Sequence, residues 1–301
     1  MSHLKDVRRW RIGKKKQRRL RDLTGAVVVV TGAGSGIGRE TALAFASEGA
    51  ILVVSDINLD TAQETAELIN NPSSVRGSEA VFGGGAHAYQ LDVSDEDAVK
   101  KFAETVRTRH GVADVVVNNA GIGYSGTFTK TTREAFERVM NINFWGVVNG
   151  CRYFSEQMIE RGTGGHIVNL SSVVAYTPQK ELTAYATSKA AVYMVSDCLR
   201  GELVPHGIGV STICPGIIAT NIIKNTGFAG VDADEERKQQ DKVDSFYRRR
   251  NFGPDKVASQ IVKAVKSNKP VVPVSPEAKF SQTMSRLSPG FLRFVARFDS
   301  D

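Results

Sequence analysis

Tyr185 and Lys189, in Tyr-Ala-Thr-Ser-Lys, stand four residues apart. On a helix that spacing places both side chains on one face. A lysine ammonium held near a phenol favours the phenolate, because a neighbouring positive charge stabilises the anionic form. A tyrosine moved from its ordinary pKa of about 10 towards neutrality is a proton donor and acceptor suited to alcohol and ketone chemistry. Alone the pair is a weak signal, since most such spacings are accidents of a helix surface. What gives it meaning is a hydride carrier elsewhere in the chain.

The region around residues 26–38 has the form of a site for one. Ala-Val-Val-Val-Val-Thr over 26–31 is a short β-branched run of the kind buried on both faces of a sheet. Gly32-Ala33-Gly34-Ser35-Gly36-Ile37-Gly38 follows at once, and then the helical pattern of residues 39–45. Strand, glycine turn and helix come in the order a dinucleotide site requires. The glycines let the backbone approach a pyrophosphate, and the helix N-terminus offers free N–H groups and a positive dipole end. A second strand, Ile51–Ser55, ends at Asp56. An acid at this place binds adenosine ribose hydroxyls, although it lies somewhat beyond the usual spacing of about 20 residues from the glycines. Ile57 follows, where an arginine would have favoured a 2′-phosphate. The pattern predicts NAD rather than NADP.

With these pieces placed, the chain resembles the short-chain dehydrogenase/reductase family from about Leu23 to about Val274. Thr31–Gly38 is similar to the family's T-G-x-x-x-G-x-G, and Asp92-Val93 to its adenine-contacting pair. Asn118-Asn119-Ala120-Gly121 resembles the N-N-A-G that ends the fourth strand, and Asn143 the asparagine of the active-site tetrad. Ser172 precedes Tyr185 by the family's serine spacing, with Ser171 as a rival for the role. Pro215-Gly216, with Thr220, resembles the segment that holds the nicotinamide end. The resemblance implies that Tyr185 moves the proton, that Lys189 lowers its pKa and binds the nicotinamide ribose, that Ser172 polarises the substrate oxygen, and that Asn143 holds a water leading to solvent. The implied cofactor set is Gly32, Ser35, Gly36, Ile37, Gly38, Asp56, Asp92, Val93, Asn119, Ala120, Gly121, Tyr185, Lys189, Pro215, Gly216 and Thr220.

Other reactive residues read as structural. No two of the five histidines have metal-ligand spacing, so no metal is expected. Cys151, Cys198 and Cys214 are too few and too separated for a zinc site, and their odd number excludes a complete intrachain disulfide framework. Buried reduced thiols in a cytosolic protein are expected. No G-x-S-x-G elbow suggests a hydrolase.

Strand-like segments at about 26–31, 50–55, 86–90, 113–118, 165–170, 208–213 and 270–274 alternate with helices. Such alternation predicts an α/β, Rossmann-like, doubly wound, mostly parallel seven-stranded sheet covered on both faces. The domain plan is a basic arm over 1–22, a catalytic domain over 23–275 with a substrate lid at 217–250, and an amphipathic extension over 276–301.

The net charge of +7 belongs to the arm: residues 1–21 hold ten Lys or Arg and one Asp, and the remaining 29 basic and 31 acidic residues leave the body at −2. The arm lacks the apolar core of a secretory signal. It reads as a solvated tail or as a polybasic anchor for anionic lipid, with Leu4, Val7, Trp10 and Ile12 as the apolar part. Nucleic-acid binding is not expected, because no second basic or aromatic element accompanies it.

Three stretches depart from the compact family plan. Residues 71–85 are turn-rich and predict a surface excursion without chemistry. Residues 217–250 begin apolar, which suggests an apolar substrate or packing on the core, and then become highly charged. In the extension, Phe280, Met284, Leu287, Phe291, Phe294 and Phe298 form a helical stripe that Pro289-Gly290 should divide into two helices. That stripe suits packing on the body, a subunit interface, closure of an apolar pocket, or a membrane surface. The sum of these readings is an NAD(H)-dependent alcohol/ketone oxidoreductase for a hydrophobic lipid-, steroid- or terpenoid-like substrate, cytoplasmic or peripheral at a membrane, and homodimeric or homotetrameric by resemblance. A non-catalytic dinucleotide-binding scaffold, or an epimerase or dehydratase on the same fold, are the alternatives.

Overall fold

The computed structural model describes residues 20–71, 84–216, 218, 226–230, 234–235, 237–238, 240 and 252–297. The strands among them are β1 (Val27–Thr31), β2 (Ile51–Asp56), β3 (Ala86–Gln90), β4 (Val115–Asn118), β5 (Tyr124–Ser125), β6 (Gly165–Leu170), β7 (Ile208–Pro215), β8 (Gly227–Phe228) and β9 (Val271–Val274). The helices are α1 (Gly36–Ala46), α2 (Leu59–Asn70), α3 (Glu96–His110), α4 (Arg133–Met140), α5 (Gly146–Arg161), α6 (Thr183–Leu203), α7 (Pro254–Ser267), α8 (Pro276–Leu287) and α9 (Pro289–Val295).

Seven strands form one parallel sheet in the order β3-β2-β1-β4-β6-β7-β9. The expected seven-stranded, doubly wound sheet is therefore present. Its β-branched runs account for it: every residue of β1 is buried, with Val28 and Val30 packed into one core layer and Val27 and Val29 into the other. One layer rests on Phe45 of α1 and on Val257 and Ile261 of α7. The other rests on Phe102 of α3 and on Phe154 and Met158 of α5. Pro273 lies in β9, at the sheet edge, where a missing N–H is tolerated.

The chain winds outward from β1 to β3, then returns to lay β4 on the other side of β1. Such a switch point opens a crevice at the carboxyl ends of the strands, the usual ligand position in open α/β sheets. A small parallel pair, β5 with β8, stands apart from the main sheet and had no sequence signal.

Leu20 and Leu23 are both buried in the core, so the expected boundary after residue 22 falls inside a segment already docked on the body. The rest of the basic arm, and residues 72–83 of the excursion expected at 71–85, lie outside the described residues. The extension does form two helices divided at Ser288-Pro289. One expectation about the cysteines fails: Cys151 and Cys214 are buried, but Cys198 is exposed on α6.

Candidate active site

The glycine turn leaves β1 under close constraints. Gly32 and Gly36 have φ of +62° and +53°, in the region that favours glycine. A Cβ on Gly38 would stand 2.1 Å from the Gly32 carbonyl oxygen and 2.5 Å from Asn119 Nδ2. Thr31 Oγ1 accepts from the N–H groups of Asn119 and Ala120, both at 3.1 Å, which ties the end of β4 to the turn. Asn119 Nδ2 donates to the carbonyls of Thr31 and Gly32 at 2.9 and 3.0 Å. Its amide nitrogen therefore braces the turn, a role that the motif alone did not indicate.

This turn fits a dinucleotide. No acidic residue lies in the first turn of α1 and no side chain caps it, so its N–H groups remain available to an anion. At the carboxyl end of β2, Asp56 Oδ2 accepts from Gly34 N at 2.9 Å and Oδ1 from Asn58 N at 3.1 Å. These bonds fix the carboxylate beside the turn. Arg39, the nearby cation, donates to the Gly34 carbonyl, to Thr65 Oγ1 at 3.0 Å and to Glu64 Oε2 at 2.9 Å.

The proton-transfer candidates assemble at the other end of the switch point. Tyr185 and Lys189 lie in the first two turns of α6, and Lys189 Nζ is 5.7 Å from the Tyr185 ring centroid. Lys189 is buried and Nζ donates to the Leu170 carbonyl at 2.9 Å. Burial pushes its ammonium down from 10.5 to about 8, with the Cys214 thiol opposing that shift. Ser171 Oγ donates to the Lys189 carbonyl at 2.8 Å, so it joins the end of β6 to α6. Ser172 starts the next turn, and its Oγ accepts from Val174 N at 3.4 Å.

Asn143 lies in a π-helical segment, Asn141–Trp145, that joins α4 to α5. Such a bulge re-aims a side chain within an otherwise continuous helix. Asn143 is fully buried, accepts from Ile122 N at 2.8 Å, and donates to Ile122 O at 2.9 Å and to Ser188 Oγ at 3.1 Å. A Cβ on Gly121 would stand 3.1 Å from Asn143 Oδ1 and 3.5 Å from Lys189 Nζ, so the bare glycine lets these groups converge.

One cleft of about 680 Å³ joins the two ends. Gly32, Ser35, Gly36, Ile37, Asp56, Asp92, Val93, Asn119, Ala120, Gly121, Ser171, Ser172, Tyr185, Lys189, Pro215 and Gly216 line it. Gly38 and Asn143 are absent from its lining: the first lies against the turn, the second behind Ile122. Thr220 lies outside the described residues. Sequence reading did not identify Arg138, Ile142, Gln179, Leu182, Thr226 and Gln240, which also line the cleft. Arg138 lies in the last turn of α4, Ile142 in the π-helical segment and Gln240 in a helical stretch, while Gln179, Leu182 and Thr226 lie outside regular elements, and no motif marks any of them. Of the expected lid, Ile218 is buried in the core and also borders the cleft.

The remaining reactive groups are elsewhere or inert. Burial holds the Cys151 and Cys214 thiols up at about 12. His166 is buried, pairs with Ser211 Oγ at 2.9 Å, and is pushed down to about 3 by burial and then by Arg200. Among the described residues, no three or more His, Cys, Asp or Glu side chains group as metal ligands.

A family model described as short chain dehydrogenase matches residues 26–229. The chain is 55% identical over 273 residues to "Probable oxidoreductase EphD" of Mycobacterium tuberculosis, covering 90% of this chain and 44% of that relative. It thus spans less than half of that relative's length. It is also 34% identical over 274 residues to "Dehydrogenase/reductase SDR family member 7B" of Bos taurus, covering 90% of this chain and 80% of the relative. Among solved structures, a short-chain dehydrogenase from Streptomyces avermitilis aligns with a TM-score of 0.73 at 26% identity, over 91% of this chain and 98% of that one. A short chain dehydrogenase/reductase from Burkholderia phymatum in complex with NAD shares the fold with a TM-score of 0.78 at 24% identity, over 91% and 96% of the two chains.

Proposed function

The chain belongs to the short-chain dehydrogenase/reductase family, whose members are nicotinamide-dinucleotide oxidoreductases, and we propose that it interconverts a secondary alcohol and a ketone with NAD(H). The observation that carries this reading is the single cleft running from Asp56 and the glycine turn to Ser172, Tyr185 and Lys189. Bound nucleotide supplies the hydride donor or acceptor for the carbinol carbon. Tyr185 gives a proton to the ketone oxygen or takes one from the alcohol. Lys189 stabilises the phenolate by its charge. Ser172 donates a hydrogen bond to the substrate oxygen, and Asn143 holds the Ile122 backbone beside the site. By the family resemblance, Lys189 and Tyr185 would also hold the nicotinamide ribose.

The two serines separate in a test. Ser172→Ala is expected to lower kcat by about 10²-fold, the usual loss for one donor to a reacting oxygen. Ser171→Ala removes the bond to the Lys189 carbonyl and is expected to cost about 1 kcal/mol of stability with a much smaller loss of kcat. Steady-state rates and urea midpoints of both variants decide, and a larger kcat loss at Ser171 would reverse the assignment.

Asp56 supports NAD over NADP: its carboxylate accepts ribose hydroxyls and repels a 2′-phosphate, while Arg39 is committed to Glu64 and the turn. NADP is expected to have a kcat/KM about 10²-fold below that of NAD, since hydrogen bonds to a charged group contribute about 1.5–3 kcal/mol. Asp56→Ala should narrow that ratio. An NADP preference in the parent protein would remove this role from Asp56.

The substrate proposed is hydrophobic, because Ile122, Val174, Leu182 and Ile218 line the cleft together with the polar Gln179 and Gln240. A panel of hydrophobic secondary alcohols with NAD, followed by NADH absorbance, tests the whole reading. Absence of NADH formation across lipid, steroid and terpenoid alcohols would favour a scaffold. We further propose a homodimer or homotetramer that uses exposed Trp145 and Met194, and a cytoplasmic protein with peripheral membrane contact. Among the described residues, no helix is long and apolar enough to cross a membrane.

A further inference from the structure

The two C-terminal helices turn their best apolar residues outward. In α8, Ala278 is fully buried, and Tyr176 Oη donates to its carbonyl at 3.2 Å. At 100° per residue, Phe280 and Leu287 project from the opposite side. They are 59% and 77% exposed. In α9, Leu292 is buried while Phe291, Phe294 and Val295 are exposed. Each short helix therefore uses one side to dock on the body and leaves another side apolar and uncovered. Lone exposed apolar residues are ordinary; five on two consecutive helices are not easily accounted for by chance.

Charge identifies what covers them. Residues 276–297 contain Lys279, Arg286, Arg293 and Arg297 against the single acid Glu277. All four cations are exposed. A second copy of the chain would bring the same positive charge to the contact, which disfavours self-association there. The other end of the chain adds ten Lys or Arg against one Asp in residues 1–21, while the body between is slightly acidic. Exposed phenylalanine and leucine with interspersed cations match the boundary of an anionic bilayer, where apolar groups enter the acyl region and cations meet phosphate.

We propose that α8 and α9 form a docking face for an anionic lipid bilayer, which seats the protein on the membrane surface independently of the reaction it catalyses. Docking also orients the cleft. Helix α8 starts beside the cleft rim: a Cβ on Gly216 would stand 2.5 Å from Ser275 Oγ and 2.6 Å from Glu277 Oε1. Pro215 and Gly216 line the cleft, so the face that meets lipid is joined to the catalytic end.

The test is flotation of the full chain with vesicles of phosphatidylcholine alone, or with about one third phosphatidylglycerol. Binding to the anionic vesicles is expected to exceed binding to the neutral ones by at least about tenfold. Leu287→Ser/Phe291→Ser should lower anionic binding by at least about tenfold, with solution mass and melting temperature unchanged. Arg293→Glu/Arg297→Glu should lower it as well, and supplies the test if the first variant misfolds. The proposal is overturned if both variants float like the parent, because the basic arm alone would then anchor the chain. It is also overturned if the apolar variant changes the solution mass without vesicles, because the face would then be a subunit interface. Equal binding to neutral and anionic vesicles would remove the electrostatic basis.

Discussion

Tyr185→Phe is expected to lower kcat/KM by about 10²–10⁴-fold, the range for loss of a positioned general acid–base, with melting temperature close to that of the parent and at most a small loss of nucleotide affinity from the missing hydroxyl. Phenylalanine keeps the ring, the α6 backbone and the packing beside Lys189, so the change isolates the phenolic oxygen. Among the described residues, the neighbouring groups do not replace it. Ser171 Oγ is engaged with the Lys189 carbonyl. The Cys214 thiol is held up at about 12 by burial and remains protonated near neutrality. His166, the buried imidazole, is bonded to Ser211 and is absent from the cleft lining. Ser172 lacks a pKa suited to proton exchange at neutral pH and serves as a donor. Single-turnover absorbance, with nucleotide binding measured separately by fluorescence, separates chemistry from affinity. Near-normal turnover in the phenylalanine variant would discard the proton-transfer mechanism.

The parts of this site that the sequence revealed share a physical property: each is dictated by local geometry. The turn at Gly32–Gly38 needs residues without Cβ because Asn119 and the Gly32 carbonyl occupy the space, so glycine must appear in the sequence. Tyr185 and Lys189 meet through helix periodicity alone. The sheet was legible because strands buried on both faces must be continuously apolar, as in β1. What could not be read depends on tertiary closure. The π-helical segment around Asn143 uses ordinary helix-compatible residues, and nothing in Asn-Ile-Asn-Phe-Trp distinguishes an i→i+5 bond from an i→i+4 bond. The β5–β8 pair joins two-residue strands about a hundred positions apart, too short to show periodicity. Arg138 and Gln179 reach the cleft only because their segments fold over it. Cys198 carries a residue type that is usually buried, yet it occupies the outer side of α6.

Lys189→Met should show catalysis and stability moving in opposite directions. The activity loss is expected to be about 10²-fold or more, since the phenolate loses its neighbouring charge. Stability is governed by burial. Lys189 Nζ has the Leu170 carbonyl as a partner, but burial still pushes its pKa from 10.5 to about 8. At 1.36 kcal/mol per pKa unit, the charged form therefore costs about 3 kcal/mol in the folded protein at neutral pH. The sign follows from proton counts. Between about pH 8 and 10.5 the folded state has released the Lys189 proton while the unfolded state still holds it, so folding of the parent gains stability as pH rises through that window. Methionine has no such dependence. It fills a similar space with a flexible apolar chain, but leaves the Leu170 carbonyl without its donor, at about 1–3 kcal/mol. The difference in unfolding free energy between variant and parent should thus favour methionine most at pH 7 and shift by about 3 kcal/mol towards the parent by pH 10.5. Urea unfolding of both proteins at matched pH values measures that shift, and other titrating groups cancel in the difference. A pH-independent difference would mean that Lys189 has the same pKa in the folded and unfolded states. In that case the ammonium is hydrated when folded, and burial cannot be what tunes the residue beside Tyr185. In the parent, kcat/KM for ketone reduction should fall above about pH 8, because that ratio reports ionisations of the free enzyme and the neutral amine no longer stabilises a phenolate.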